Sequence, residues 1–284
     1  MKKIFTLLMI VTLTLLTGCG GQSNGPQNKT DDNRIKIGMI ARLNVSEENF
    51  DGFMKQVEET FGVKISSHTS VFFDSLPQMQ AALQAGQINE ISTYRSVARY
   101  MIAKDKRFSV LKDHSLEFID SFCFALRDDE EALRDSLNKI IEDMQMDGTL
   151  NQLTKEYITD ISTDNDPPAV EIPHFDEAET IKVAVTGDMP PLDFVSANGQ
   201  PAGFNTAVLT EIANRLNVNI EILQVESSAR AAALTSKQAD IVFWAIVPVS
   251  EIIPKDSDKP DGIILTEPYF KDKVIHLAFD NSEK

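Results

Sequence analysis

From Ile35 onward the sequence switches between short runs with the two-residue period of a strand and longer runs with the period of a helix, in two blocks separated by a proline-rich break. Strands that alternate with single helices bury their apolar faces as parallel sheets covered by helices, so this pattern limits the chain to an α/β architecture. In the first block a strand at 35–41 precedes Phe50, Phe53, Met54, Val57 and Phe61, which share one helical face. Ser46 is the expected cap of that helix, and Glu47 and Glu48 are its first-turn acids. A β-rich stretch at 64–73 leads to a helix opened by Ser75 and Pro77, with Leu76, Met79 and Leu83 on one side and Gly86 at its end. Short strands at 88–93, 108–111 and 121–127 surround a helix near 96–104. Two helices follow, one carrying Leu133, Leu137, Ile140, Ile141 and Met144 on one face and one over 150–158, with Gly148 between them.

The periodicity stops at 162–180, where Asp166-Pro167-Pro168 and Ile172-Pro173 mark a linker. The second block then predicts a strand at 181–186, a turn at 188–192, a helix at 206–216, a strand at 219–225, a helix at 229–237 and a strand at 240–247.

The amino terminus has a different character. Lys2 and Lys3 precede an apolar run, 4–16, too short to span a bilayer as a folded helix, and it closes in Leu16-Thr17-Gly18-Cys19. This tetrapeptide resembles a bacterial lipoprotein processing site, which implies a signal peptide over 1–18 and a lipid on Cys19. Residues 19–33, polar and glycine-containing, read as a flexible tether. The 284-residue chain carries 43 acids against 27 bases, a net charge of −16, and no basic run interleaved with aromatics, which argues against nucleic acid as a partner. With Cys19 lipidated, Cys123 is the one free thiol; it sits between Phe122 and Phe124 and reads as a buried small hydrophobe. The four histidines, His68, His114, His174 and His276, lack the spacing of metal ligands, and neither a metal nor a cofactor is expected.

The second block is similar to the opening of the family-3 extracellular solute-binding proteins, two-lobed receptors for polar amino acids and similar molecules. The residues that carry the resemblance are Ile181-Lys-Val-Ala-Val, Asp188-Met-Pro-Pro-Leu-Asp-Phe194, Gly199, Gly203-Phe204-Asn205, Arg215-Leu216, Ala233-Leu234 with Ala239-Asp240, and Thr266-Glu-Pro-Tyr-Phe270. The first block resembles the rest of that family through Ser75-Leu76-Pro77-Gln78-Met79, the strand Phe122–Arg127 and the closing helix pair with Asp147-Gly148-Thr149. In the family that pair ends the chain, and here it falls in the middle. The resemblance therefore implies one type II periplasmic-binding-protein fold in circularly permuted order, each lobe a mostly parallel sheet with helices on both faces. Residues 34–127 are second-lobe-like, 128–161 are the closing helix pair that packs on the other lobe, 162–180 are the linker and 181–284 are first-lobe-like.

In amino-acid receptors of the family, the resemblance implies an arginine for the ligand carboxylate and a second-lobe acid for its ammonium. Here the arginine motif falls on Val249-Ser250-Glu251-Ile252, the acid near Tyr94, and an aromatic wall on Leu192. A free α-amino acid is therefore a poor candidate ligand. The residues left to form a cleft are Trp244, at a strand end; Arg230, as a substitute anchor; Asp188, which with Asp193 either holds a cation or caps a turn; Leu192 and Phe194 beside it; Tyr94 and Arg95 on the second lobe; and Arg42, with Asn44, where an anion meets free N–H groups ahead of a helix. The implied role is a monomeric, lipid-anchored receptor passing a small polar solute to a membrane permease, or a sensor lipoprotein presenting the same fold to a membrane partner. No paired nucleophile and base accompanies these residues, so no catalysis is expected.

Overall fold

Serines placed just ahead of apolar runs begin two of the first helices. A computed structural model describes residues 34–280 except 45, 63–67, 113–116, 161–165 and 252. The expected signal peptide, Cys19, the tether at 19–33, the start of the 64–73 stretch, His114 and the first part of the linker lie outside the described residues. After β1 (Ile35–Ile40), the Ser46 side chain accepts the Asn49 N–H at 3.2 Å and caps α1 (Glu47–Phe61). After β2 (His68–Phe73), the Ser75 side chain accepts the Gln78 N–H at 3.3 Å at the head of α2 (Leu76–Gln84). β3 (Glu90–Tyr94), α3 (Arg95–Lys104), β4 (Phe108–Val110) and β5 (Ile119–Arg127) follow, then α4 (Glu131–Met146) and α5 (Thr149–Thr154), which ends in a wider π turn over Lys155–Thr159.

Past the proline-rich segment come β6 (Thr180–Val185), a small antiparallel sheet of β7 (Asp188–Met189), β8 (Asp193–Val195) and β9 (Pro201–Ala202), and α6 (Phe204–Leu216). β10 (Asn219–Gln224), a 3-10 turn over Ser227–Ala229, α7 (Arg230–Thr235), β11 (Ile241–Pro248), β12 (Ile263–Leu265) and β13 (Phe270–Phe279) complete the chain.

One ten-stranded sheet runs β10-β6-β11-β5-β13-β3-β1-β2, with β12 added to β5 and β4 to β13. The parallel arrangement expected of each lobe is found in its outer strands, β10, β6 and β11 at one end and β3, β1 and β2 at the other. Between them the pairing is antiparallel, through β5 and β13. β13 joins the two ends, because Phe270–Lys273 pair with β5 and Val274–Leu277 pair with β3.

Side chains alternate across this sheet. Val183, Val185, Phe122, Phe124 and Leu126 pack with Val208, Leu209 and Ile212 of α6 and with Leu137, Ile140 and Ile141 of α4. On the opposite face Ala184, Ala125, Val242 and Ala245 pack with Ala233 and Leu234 of α7. The small residues let α7 ride close to the strands, while the large ones fill the thicker layer under α4 and α6. α5 also lies on α6, and the Arg215 guanidinium donates to the Asp147 carboxylate at 2.8 Å and to the Thr149 hydroxyl at 3.1 Å. The described part of the linker is tied at several points. The Tyr100 hydroxyl donates to Asp166 at 2.6 Å, and the Asn219 amide bonds the backbone of Phe175 and Ala178.

Candidate functional site

The carboxyl ends of β1 and β3 meet the middle of β11, at its bulge, and the middle of β13, and a recess opens there. Met39, Ile40, Arg42, Ser92, Thr93 and Tyr94 line it from one side, Met189, Trp244 and Ile246 from the other, and Val274 at the crossing strand. Strand ends of open α/β sheets are the usual place for a ligand, because side chains and unpaired backbone groups converge there.

Trp244 reaches this position through a break in alternation. Strict alternation would set it on the alanine-lined face with Val242, yet it joins the face of Phe243. The β11–β5 register shifts between Val242 and Ala245, and Trp244 takes φ +50. A bulge of this kind adds one residue to a strand and re-aims its side chains, and a left-handed backbone on a tryptophan is a strained conformation held by its surroundings. The ring meets Tyr94 edge-on at 6.4 Å between centroids and Phe122 at 5.8 Å. Only 2% of the residue is exposed, so it is at once core and recess wall.

Arg230 lies under this ring, its guanidinium carbon 4.2 Å from the centroid, and is fully buried. It donates to the carbonyls of Ser227 at 3.1 Å, Trp244 at 2.7 Å and Ala41 at 2.9 Å. Burial draws its pKa below the ordinary arginine value, opposed by the charges of Asp258 and Asp193. The sequence suggests Arg230 as an anchor for a ligand; in the fold its donors go to backbone, and they bind α7 to the end of β1.

Arg42 is on the recess, 3.4 Å from Asp120, and its guanidinium also stands over the Phe50 ring at 5.6 Å. The Tyr94 hydroxyl donates to the same Asp120 oxygen at 3.0 Å. Burial and that neighbouring carboxylate hold the phenol well above its usual pKa, so it remains a donor. Asp120, only 3% exposed, organises both candidates, and sequence reasoning missed it. Its signal was a lone acid at the mouth of the apolar run 121–126.

The remaining candidates divide. The Asp188 carboxylate accepts the Leu76 N–H at 2.8 Å, at the first turn of α2, while its other oxygen is buried without a hydrogen-bond partner. Burial raises its pKa. Asp193 turns back on its own loop, accepting the N–H groups of Thr186 at 3.0 Å and Gly187 at 3.1 Å and the Thr186 hydroxyl at 2.9 Å, which is the turn-capping role. Leu192 is buried in the main core, and Phe194 is half-buried on β8. Neither lines the recess. Arg95 is exposed, at the start of α3 and outside the recess.

Residues 181–251 match the family described as bacterial extracellular solute-binding proteins, family 3. No curated protein matches the chain. Among solved structures it is 13% identical to the ligand-binding component of an ABC-type import system from Staphylococcus aureus with zinc bound, over 86% of this chain and 65% of that one, at a TM-score of 0.39. It is 12% identical to the GluR0 ligand-binding core from Nostoc punctiforme in complex with L-glutamate, over 87% of this chain and 86% of that one, at 0.37. A nutrient-binding protein from Burkholderia cenocepacia bound to methionine gives 14%, 86%, 84% and 0.39 in the same order. By residues 181–251, the span from β6 through β11 that holds Asp188, Arg230 and Trp244, the chain is similar to the bacterial extracellular solute-binding proteins of family 3.

Proposed function

We propose that this chain is an extracytoplasmic receptor, lipid-anchored through Cys19, that takes up a small polar solute between its two sheet ends and serves a membrane transporter. The observation that carries this reading is the recess, where Arg42 and Tyr94 from one end of the sheet face Trp244 and Met189 from the other. Ligands held between two such groups of strands make differential contacts with the closed form and so bias its population. The permuted order, with 34–127 second-lobe-like and 181–284 first-lobe-like, belongs to this proposal. Its support is the packing of α4 and α5 against α6 and β12. A sensor role is the second reading, favoured by the absence of the family's arginine motif at 249–252 and by the mutual engagement of Arg42, Tyr94 and Asp120.

Trp244 is the only tryptophan, so intrinsic emission reports the recess without labelling. In titrations monitored by emission and calorimetry, free glutamine, glutamate, arginine, histidine and cysteine bind only weakly. The true solute shifts the emission, and Trp244→Ala weakens it by about 1–3 kcal/mol. A solute confirmed by calorimetry that leaves the emission unchanged and binds Trp244→Ala as tightly as the wild type moves the site away from this recess.

A further inference from the structure

Between β11 and β12 the chain makes a loop whose run Lys255-Asp256-Ser257-Asp258-Lys259 carries two acids with opposite fates. Asp256 is exposed, and Asp258 is 0% exposed. One Asp258 oxygen accepts the backbone N–H of Asn44 at 3.2 Å, just beyond β1, and the other accepts the backbone N–H of Ile246 at 3.1 Å, within β11. A single carboxylate thus takes one donor from the segment after β1 and one from β11, which belong to opposite ends of the sheet. Asn44 also donates its side-chain amide to the Lys259 carbonyl at 3.4 Å, so the loop clasps the segment after β1. Burial disfavours the Asp258 anion, and the positive charges of Arg42 and Arg230 oppose that cost. Carboxylates are rarely sunk this deeply unless paired donors hold them, because taking the anion out of water is costly. A loop that needed only to close over the core would be served by an apolar residue.

We propose that Asp258 is a tethered anion, a built-in carboxylate filling the position between the two sheet ends where a free carboxylate would otherwise bind. This makes Asp258 an intramolecular occupant that keeps the segment after β1 and strand β11 together, independently of any solute in the recess. Shortening the side chain then creates a site for a small free carboxylate, and acetate has the size and charge of what is removed.

The test uses the full mature chain as wild type, Asp258→Gly, Asp258→Ala and Asp258→Asn, each melted in increasing sodium acetate and in sodium chloride of equal ionic strength. Expected is a lower melting point for the glycine and alanine variants, recovered by several degrees and saturably in acetate but not in chloride. Wild type, whose own carboxylate fills the place, and Asp258→Asn, whose amide fills it without charge, respond equally to the two salts. If a truncated variant does not fold in plain buffer, its recovery on refolding in acetate but not in chloride is the same positive result. Equal effects of the two salts on both truncated variants, recovery in neither, or an acetate response of the same size in wild type overturns the proposal. Because acetate rescue needs no solute, failure of every solute titration alongside a clear rescue removes the receptor reading while leaving the role of Asp258 standing.

Discussion

Arg230 illustrates how far a residue type predicts its own role. An arginine at the head of a helix, near a strand end, is a reasonable anion anchor by its chemistry. Its position in space gives it three backbone carbonyl partners instead, two from its own end of the sheet and one, Ala41, from the other. Removing it strands those carbonyls and the ring of Trp244 together, so Arg230→Ala is expected to lower the unfolding free energy by about 3–5 kcal/mol in urea titrations, the range for a buried polar assembly stripped of one member. A loss below about 1 kcal/mol would mean that this buried assembly contributes little to stability. The same contrast holds for the acids. Asp193 sits within seven residues of both its partners, and its turn-capping role was one of two alternatives legible in sequence. Asp120 and Asp258 act on partners 12 to 214 positions away, and no local pattern names such partners.

At the scale of elements, local chemistry was a good guide wherever a cap or a clear period was present. Ser46 and Ser75 do cap helices, and the strand expected at 240–247 is β11 within one residue at each end. The short strands β8, β9 and β12 have two or three residues each and offer no period to read. α6 starts at Phe204, two residues before the helix expected from its apolar spacing, and the reason lies in Gly203. Its φ is +90, and a Cβ there would come within 2.6 Å of the Pro191 carbonyl oxygen, backbone that cannot swing aside. That close approach lets Phe204 and Asn205 donate their N–H groups to the carbonyls of Pro191 and Leu192 at 2.9 and 2.8 Å. Gly203→Ala should therefore cost about 1–3 kcal/mol, combining a strained backbone with a forced displacement of the proline turn. Chemical denaturation of the variant measures it, and a neutral or stabilising outcome would show that the turn is free to move.

For the whole molecule, the decisive feature is that no stretch of sequence owns its half of the sheet. β11 has β6, from the same block, on one side and β5, from the first block, on the other; β13 crosses between the two ends. The large residues of α6 share their core with α4, and Leu150 and Ile158 of the second closing helix belong to it as well. A fragment spanning 180–284 would lose β5, α4 and α5 together and expose Phe243 and Tyr269, whose rings pack against Phe124 of β5. It is expected to show no cooperative thermal transition and to bind hydrophobic dyes, whereas the chain from residue 34 onward unfolds in one step. Cooperative melting of the isolated fragment would mean that the first-lobe-like block is a self-sufficient domain, and the permuted single-receptor arrangement would fail.

By itself the sequence determined the α/β class, the order of the main strands and helices and the family signature in the second block, since periodicity, caps and motif spacing act over a few residues and are written along the chain. Tertiary structure alone decided that both blocks share one sheet with an antiparallel centre. It also decided that Trp244 is turned by a bulge from the alanine face to the recess, and that Arg230 is a bolt between segments with Asp258 a buried bridge. Those outcomes depend on which strand edges and which unpaired N–H and C=O groups meet across the fold, and buried polar groups must find partners wherever the chain brings them.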